Sequence, residues 1–142
     1  METWPKVKHM DSTTKSTAFD NKKYLNLETY RKNGQPVRTP VWFAVAPDAT
    51  LYVYTTADSG KAKRLRRTSA VKIAPCNASG NATGPWIPAE ATIVDDTEAA
   101  AGMRLLNRKY RPWKQIMDIA VRLFPRHHRV VIAIRPTSTH PN

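Results

Sequence analysis

Between Thr55 and Arg67 the chain reads Thr-Thr-Ala-Asp-Ser-Gly-Lys-Ala-Lys-Arg-Leu-Arg-Arg. Asp58 or Ser59 can cap a helix whose first turns carry Lys61, Lys63, Arg64, Arg66 and Arg67. A helix start exposes unpaired N–H groups at the positive end of its dipole, and both favour an anion. Cations at that end repel the dipole, so a solvated basic face, the competing reading, explains them less well than a bound phosphate. Two phosphate motifs are excluded. A Walker loop fails because Thr55 stands where the first glycine belongs and Ala62 follows Lys61. No Gly-x-Gly-x-x-Gly occurs anywhere.

Other chemistry is sparse. His9, His127, His128 and His140 are the only histidines, and none lies in a serine or cysteine motif that suggests a triad. His127-His128 sits in the basic run Arg126 to Arg129, which reads as a surface turn rather than a metal site. Asp95-Asp96 is a helix start, not a catalytic carboxylate pair. Cys76, the single cysteine, permits no intrachain disulfide, and nothing places a base beside it. No residue is therefore assigned a catalytic role, and no metal site is expected. The net charge of +12, from 23 Lys and Arg against 11 Asp and Glu, favours encounters with anions of every kind without choosing among them.

The elements that must position the basic helix follow from pattern. At 142 residues, 41% of them apolar, the chain is one domain with one core. Residues 1–20 read as a flexible tail whose Trp4 and Phe19 could cap a partner subunit, 21–136 as the folded domain, and 137–142 as a second tail. Tyr24 to Arg31 and Pro36 to Ala44 flank Asn33-Gly34, a strong hairpin signal. Val37, Thr39, Val41 and Phe43 alternate with Arg38, Pro40, Trp42 and Ala44, the period of a half-buried strand. Pro40 lacks an N–H and belongs at an edge or beside a ligand. Strands are also expected at Leu51 to Thr56, Ala70 to Cys76, Trp86 to Val94 and Val130 to Arg135. Asp95 or Thr97 starts a helix with Met103, Leu106 and Tyr110 on one face, and Pro112 opens another through Phe124. Six strands with peripheral helices suit a mainly β fold, a six-stranded antiparallel split barrel. So small a barrel fills its interior with side chains, so a cofactor lies outside, at an edge or between subunits. No membrane span and no secretory leader are evident, and a cytoplasmic location is expected.

The segments Tyr24 to Arg31, Asn33-Gly34 and Pro36 to Phe43 together resemble the opening hairpin of the pyridoxamine-phosphate oxidase-like flavoproteins. Thr56 to Arg67 is similar to the cofactor-phosphate segment of the branch that uses the deazaflavin coenzyme F420. The likeness continues through Val71 to Cys76, Gly84-Pro85-Trp86 and Val130 to Pro136. It implies an FMN-binding-protein-like homodimer with the cofactor in a groove across the subunit interface. It also implies cofactor contacts: Ser59, Lys61 and Arg64 at the phosphate, and Thr39, Pro40, Val41 and Trp42 against the tricyclic ring. Thr55 and Thr56 lead into the phosphate turn, and Ala74, Pro75 and Cys76 line the neighbouring strand. Trp86 closes the ring pocket from the second subunit, with core packing the competing role for it and for Trp42. The activity implied is hydride transfer from reduced F420 to an unsaturated small-molecule acceptor, with hydride chemistry left to the cofactor. FMN in the same site is the nearest alternative. A basic nucleic-acid-binding barrel has no RNP-like or helix-turn-helix motif to support it, and a non-catalytic cofactor carrier also fits.

Overall fold

The computed structural model describes residues 18–110 and 129–137. Within them the order is β1 (Tyr24–Tyr30), β2 (Pro36–Trp42), β3 (Ala44–Val45), β4 (Leu51–Thr56), α1 (Gly60–Arg67), β5 (Ala70–Cys76), β6 (Ile87–Ile93), α2 (Asp96–Lys109) and β7 (Arg129–Pro136). The expected helix from Pro112 to Phe124 and the His127-His128 turn fall outside the described residues. The strands form one antiparallel sheet ordered β2-β1-β5-β6-β7-β4-β3, curled into a half-barrel. Seven strands replace the six expected. Phe43, which turns its side chain into the core, separates β2 from the two-residue β3, which pairs with β4 instead of β1.

Local chemistry accounts for the register. The hairpin turns at Asn33-Gly34, where Gly34 has φ +90° and Asn33 Oδ1 accepts from Gln35 N. Tyr24 then faces Trp42, and Asn26 faces Pro40. With β2 at the end of the sheet order, Pro40 costs no ladder bond to a further strand. Leu25, Leu27, Leu51, Val53, Val71, Ile73, Ile132 and Ile134 point inward and fill the half-barrel with Phe43 and Leu65 of α1. Phe19 joins them, 1% exposed and edge-on to Phe43 at 5.7 Å. A residue the sequence placed in a tail is thus core, and it does not cap a partner.

Helix α2 covers the outer face. Asp95 caps it, its carboxylate accepting from Glu98 N. Leu106 and Tyr110 are buried with Met103 packed beside them, as their spacing predicts. Tyr52, Val131 and Ala133 lie beneath the helix, while Ile132 and Ile134 face the interior. Both faces of β7 are therefore dry from Val131 to Ile134, which is why that stretch is continuously apolar. A Cβ on Gly102 would come within 2.8 Å of the Tyr52 ring, so the close seat of α2 requires glycine there. Among the described residues no helix is long and apolar enough to cross a membrane.

The Tyr110 hydroxyl ties α2 to the sheet. It accepts from Phe43 N at 3.0 Å and lies 2.7 Å from the carbonyl oxygens of both Phe43 and Lys23, between which it shares its single proton. Burial pushes its ionisation far above that of a free tyrosine. Tyr110→Phe leaves a buried N–H without a partner and should cost about 1–3 kcal/mol. Urea unfolding checks this, and unchanged stability would remove the hydroxyl from the account.

Candidate functional site

Ser59 begins the site. Its side chain accepts from Ala62 N at 3.1 Å, making it the cap, and Thr55 Oγ1 donates to it at 3.1 Å. With two bonds accepted, the Ser59 O–H is left to donate to an outside acceptor. The backbone of Thr56 contributes the turn, its carbonyl accepting from Ser59 N. The first turn of α1 holds no acidic residue. Ala62 and Leu65 are its buried residues, so Lys61, Lys63, Arg64, Arg66 and Arg67 spread over its other faces.

These cations have different surroundings. Lys61 is half-buried and has no hydrogen bond or ion pair among the described residues. Burial and then the Arg64 charge hold its ammonium below the usual lysine value. Arg64 Nε donates to the buried Thr29 Oγ1 at 2.6 Å, and Arg67 donates to Tyr30 O at 2.7 Å, so both fasten α1 to the end of β1. Burial, then the charges of Arg31 and Arg67, lower the Arg64 value too. No carboxylate offsets this repulsion in the lining described next.

Two hollows flank α1. The first, about 290 Å³, is lined by Tyr24, Pro40, Val41, Trp42, Tyr54, Thr55 and Lys61. It is a trough of flat apolar walls with one ammonium at its end. Trp42 forms a wall because Tyr110 stacks on it at 4.7 Å with planes 6° apart. The second, about 390 Å³, is lined by Arg31, Lys32, Asn33, Gly60, Lys63, Arg64 and Arg67. It is cationic throughout.

The structure thus gathers Pro40, Val41, Trp42, Thr55 and Lys61 around one hollow, with Ser59 and Thr56 in the turn behind it. Arg64 belongs to the second hollow. Thr39, half-buried, lies on the inward-facing row of β2 with Val37 and Val41. Ala74, Pro75 and Cys76 are buried on β5, separated from β2 by β1. Burial raises the Cys76 thiol, consistent with an unreactive side chain. Trp86 lies under Arg38, 4.6 Å from its guanidinium, and lines a different cavity of its own chain. Tyr24 and Tyr54 were missed. Tyr24 was within reach, because a hairpin centred on Asn33-Gly34 sets it opposite Trp42. Arg31 and Lys32 join α1 only through the fold.

Among protein families, the model described as pyridoxamine 5′-phosphate oxidase matches residues 14–140. No curated protein matches the sequence. Among solved structures, the conserved hypothetical protein Rv2991 from Mycobacterium tuberculosis is 21% identical, with TM-score 0.61 over 90% of this chain and 80% of that one. An F420 reductase is 21% identical, with TM-score 0.54 over 87% and 93%. The heme storage protein HutZ from Vibrio cholerae is 15% identical, with TM-score 0.62 over 89% of each. At these identities the structures share the fold.

Lys61 gives a test of the site without any ligand. Its ordinary value is 10.5 and its folded value is lower, so between the two the unfolded chain binds more protons. Its destabilising effect is full below the folded value and fades as the pH rises toward 10.5. Lys61→Met removes it. The stability difference between parent and variant, from urea unfolding at about pH 7 and about pH 10, should therefore shift toward the parent at high pH. A difference that does not move with pH contradicts the burial described.

Proposed function

The chain belongs to the pyridoxamine 5′-phosphate oxidase family, and on that footing we propose that it is an F420-dependent oxidoreductase passing a hydride to an unsaturated small-molecule acceptor. The observation that carries the reading is Lys61: a half-buried ammonium without a counter-ion, at the end of a flat apolar trough and beside a capped helix start. Such a group fits a phosphate, which would return the charge partner it lacks.

In this reading Lys61 and the Ser59 O–H hold the cofactor phosphate. Pro40, Val41 and Trp42 form the wall for the tricyclic ring, with Tyr24 and Tyr54 beside them. Trp42 is held flat by Tyr110, so the wall is set before the cofactor arrives. F420, when bound, supplies the hydride-carrying ring. The protein contributes position, charge and exclusion of water, and the hydride chemistry is the cofactor's. Lys63, Arg64 and Arg67, with Arg31 and Lys32, form a cationic hollow suited to the carboxylates beyond the F420 phosphate. FMN ends at its single phosphate and has no use for that hollow, which favours the deazaflavin.

A second copy completes the groove. Strand β2 ends the sheet with Pro36 and Pro40 exposed, and an edge of this kind is suited to burial against a symmetric partner. Sedimentation at micromolar concentration should give twice the chain mass. A monomer that still binds cofactor would move the groove away from an interface.

Fluorescence titration with F420 and with FMN at two salt concentrations tests the cofactor. F420 should bind more tightly at low ionic strength, with the gap narrowing as salt screens the outer cations. Lys61→Ala should weaken F420 binding by about ten- to a hundred-fold with little loss of stability. Tighter FMN binding at both salts would make the protein a flavin enzyme. Indifference to Lys61→Ala would return α1 to a solvated face, and binding of a random oligonucleotide alone would end the oxidoreductase reading.

A further inference from the structure

On the other side of Pro40 from the ring trough lies a third hollow, about 320 Å³, beside β1, β2 and the turn that follows β5. Its lining includes Arg38, Ser79, Asn81 and Trp86, and it shares Pro40 with the trough. Arg38, Pro40 and Trp42 alternate along one face of β2. At the rise of an extended strand Pro40 stands about 7 Å from each of the other two, so the hollows adjoin.

The lining of the third hollow holds one charged side chain, Arg38, and no acid. Arg38 is held in place yet open to a ligand, its side chain 57% exposed. Its Nε donates to Glu28 Oε1 at 2.7 Å, and Tyr30 donates to Glu28 Oε2 at 2.6 Å. Burial alone would raise the Glu28 carboxyl, but the bonds from Tyr30 and Arg38 and the charges of Arg38 and Lys72 outweigh it and keep it ionised. Lys72 stands opposite Glu28 on β5. One carboxylate thus serves two cations, and this row of the sheet stays net positive. On its other side the guanidinium lies 4.6 Å from the centre of the Trp86 ring. Glu28 and Trp86 therefore take Nε and one face of the guanidinium. Its terminal nitrogens have no partner among the described residues. A guanidinium presents its donors as a planar fork that matches the two oxygens of a carboxylate. Because Arg38 is already held, a ligand that takes the fork costs little further side-chain freedom. A phosphate would bring a second negative charge to a hollow with one cation.

We propose that this hollow is a carboxylate site that seats the acid group of a planar unsaturated acid, its apolar body lying along Trp86 and Pro40 toward the trough. In the oxidoreductase reading above, on which this role rests, that acid is the hydride acceptor. Its π bond breaks as one carbon takes the hydride of reduced F420 and the other takes a proton from water, and the oxidised cofactor returns a proton to water.

Cinnamate carries the acid and the planar body, and cinnamamide is its uncharged counterpart. In ligand-observed NMR titrations of the full chain without cofactor, cinnamate should bind at least about ten-fold more tightly. Arg38→Gln puts an N–H donor where Nε stood, so Glu28 keeps a partner, and it should bring the two ligands to parity. Arg38→Lys keeps the charge without the fork and should restore only part of the preference, so the test has a second variant. Arg66→Gln removes the same charge from an exposed position on α1 and should leave the preference intact. Equal binding of the two ligands, no binding of either, or a preference that survives Arg38→Gln overturns the proposal. A preference lost equally in Arg66→Gln also overturns it, since the overall charge of the chain would then account for it. Arg38→Gln should keep the parent's affinity for F420 and FMN, and its loss would assign the guanidinium to the cofactor instead. A parent that prefers cinnamate but binds neither cofactor would sink the oxidoreductase reading and the acceptor role with it, while the carboxylate site would stand.

Discussion

Lys61 and Arg64 sit one helical turn apart at the start of α1, where burial and then the Arg64 charge lower the proton affinity of Lys61, with no acid in that turn. A helix would ordinarily relieve such repulsion by turning its cations outward. Here it cannot rotate freely, because Ala62 and Leu65 are packed in the barrel and Arg64 and Arg67 are bonded to the end of β1. Arg64 and Arg67 serve as fasteners, while Lys61 lines the trough. The positive potential is thus a consequence of how the helix is anchored.

The opposite wall of the trough depends on a second anchor. The Tyr110 hydroxyl satisfies the backbone of Phe43 where β2 gives way to β3, while its ring stacks on Trp42. One residue therefore fixes both the strand end and the plane of the aromatic wall. Gly102 lets α2 approach closely enough for this to happen. Lys109 adds to the same joint, donating to Phe43 O at 2.9 Å, and burial lowers its ammonium to about 8. The geometry facing a ligand is rigid because the packing behind it is.

Much of this was legible in the sequence. The alternation of Val37, Thr39 and Val41, the Asn33-Gly34 turn and the cap at Ser59 each follow from local rules, and each stands in the structure. Pro40, Val41, Trp42, Thr55 and Lys61, which the resemblance grouped, line one trough. What escaped was what only long-range packing decides. The resemblance set Arg64 at the phosphate with Lys61 and Ser59; in the structure it bonds to Thr29 and lines the hollow with Arg31 and Lys32. Phe19 was read as tail because its surroundings are polar, and its ring is core. Ala74 to Cys76 lie on β5, the strand that pairs with β1, and Cys76 stands opposite Tyr24 of the trough wall.

The central claim is that the ammonium of Lys61 is the counter-charge of a cofactor phosphate. A crystal structure of the protein with F420 tests it most directly. The account expects the phosphate within hydrogen-bond distance of Lys61 Nζ and Ser59 Oγ, with the ring along Val41 and Trp42. A phosphate held elsewhere with Lys61 still unpartnered would contradict it.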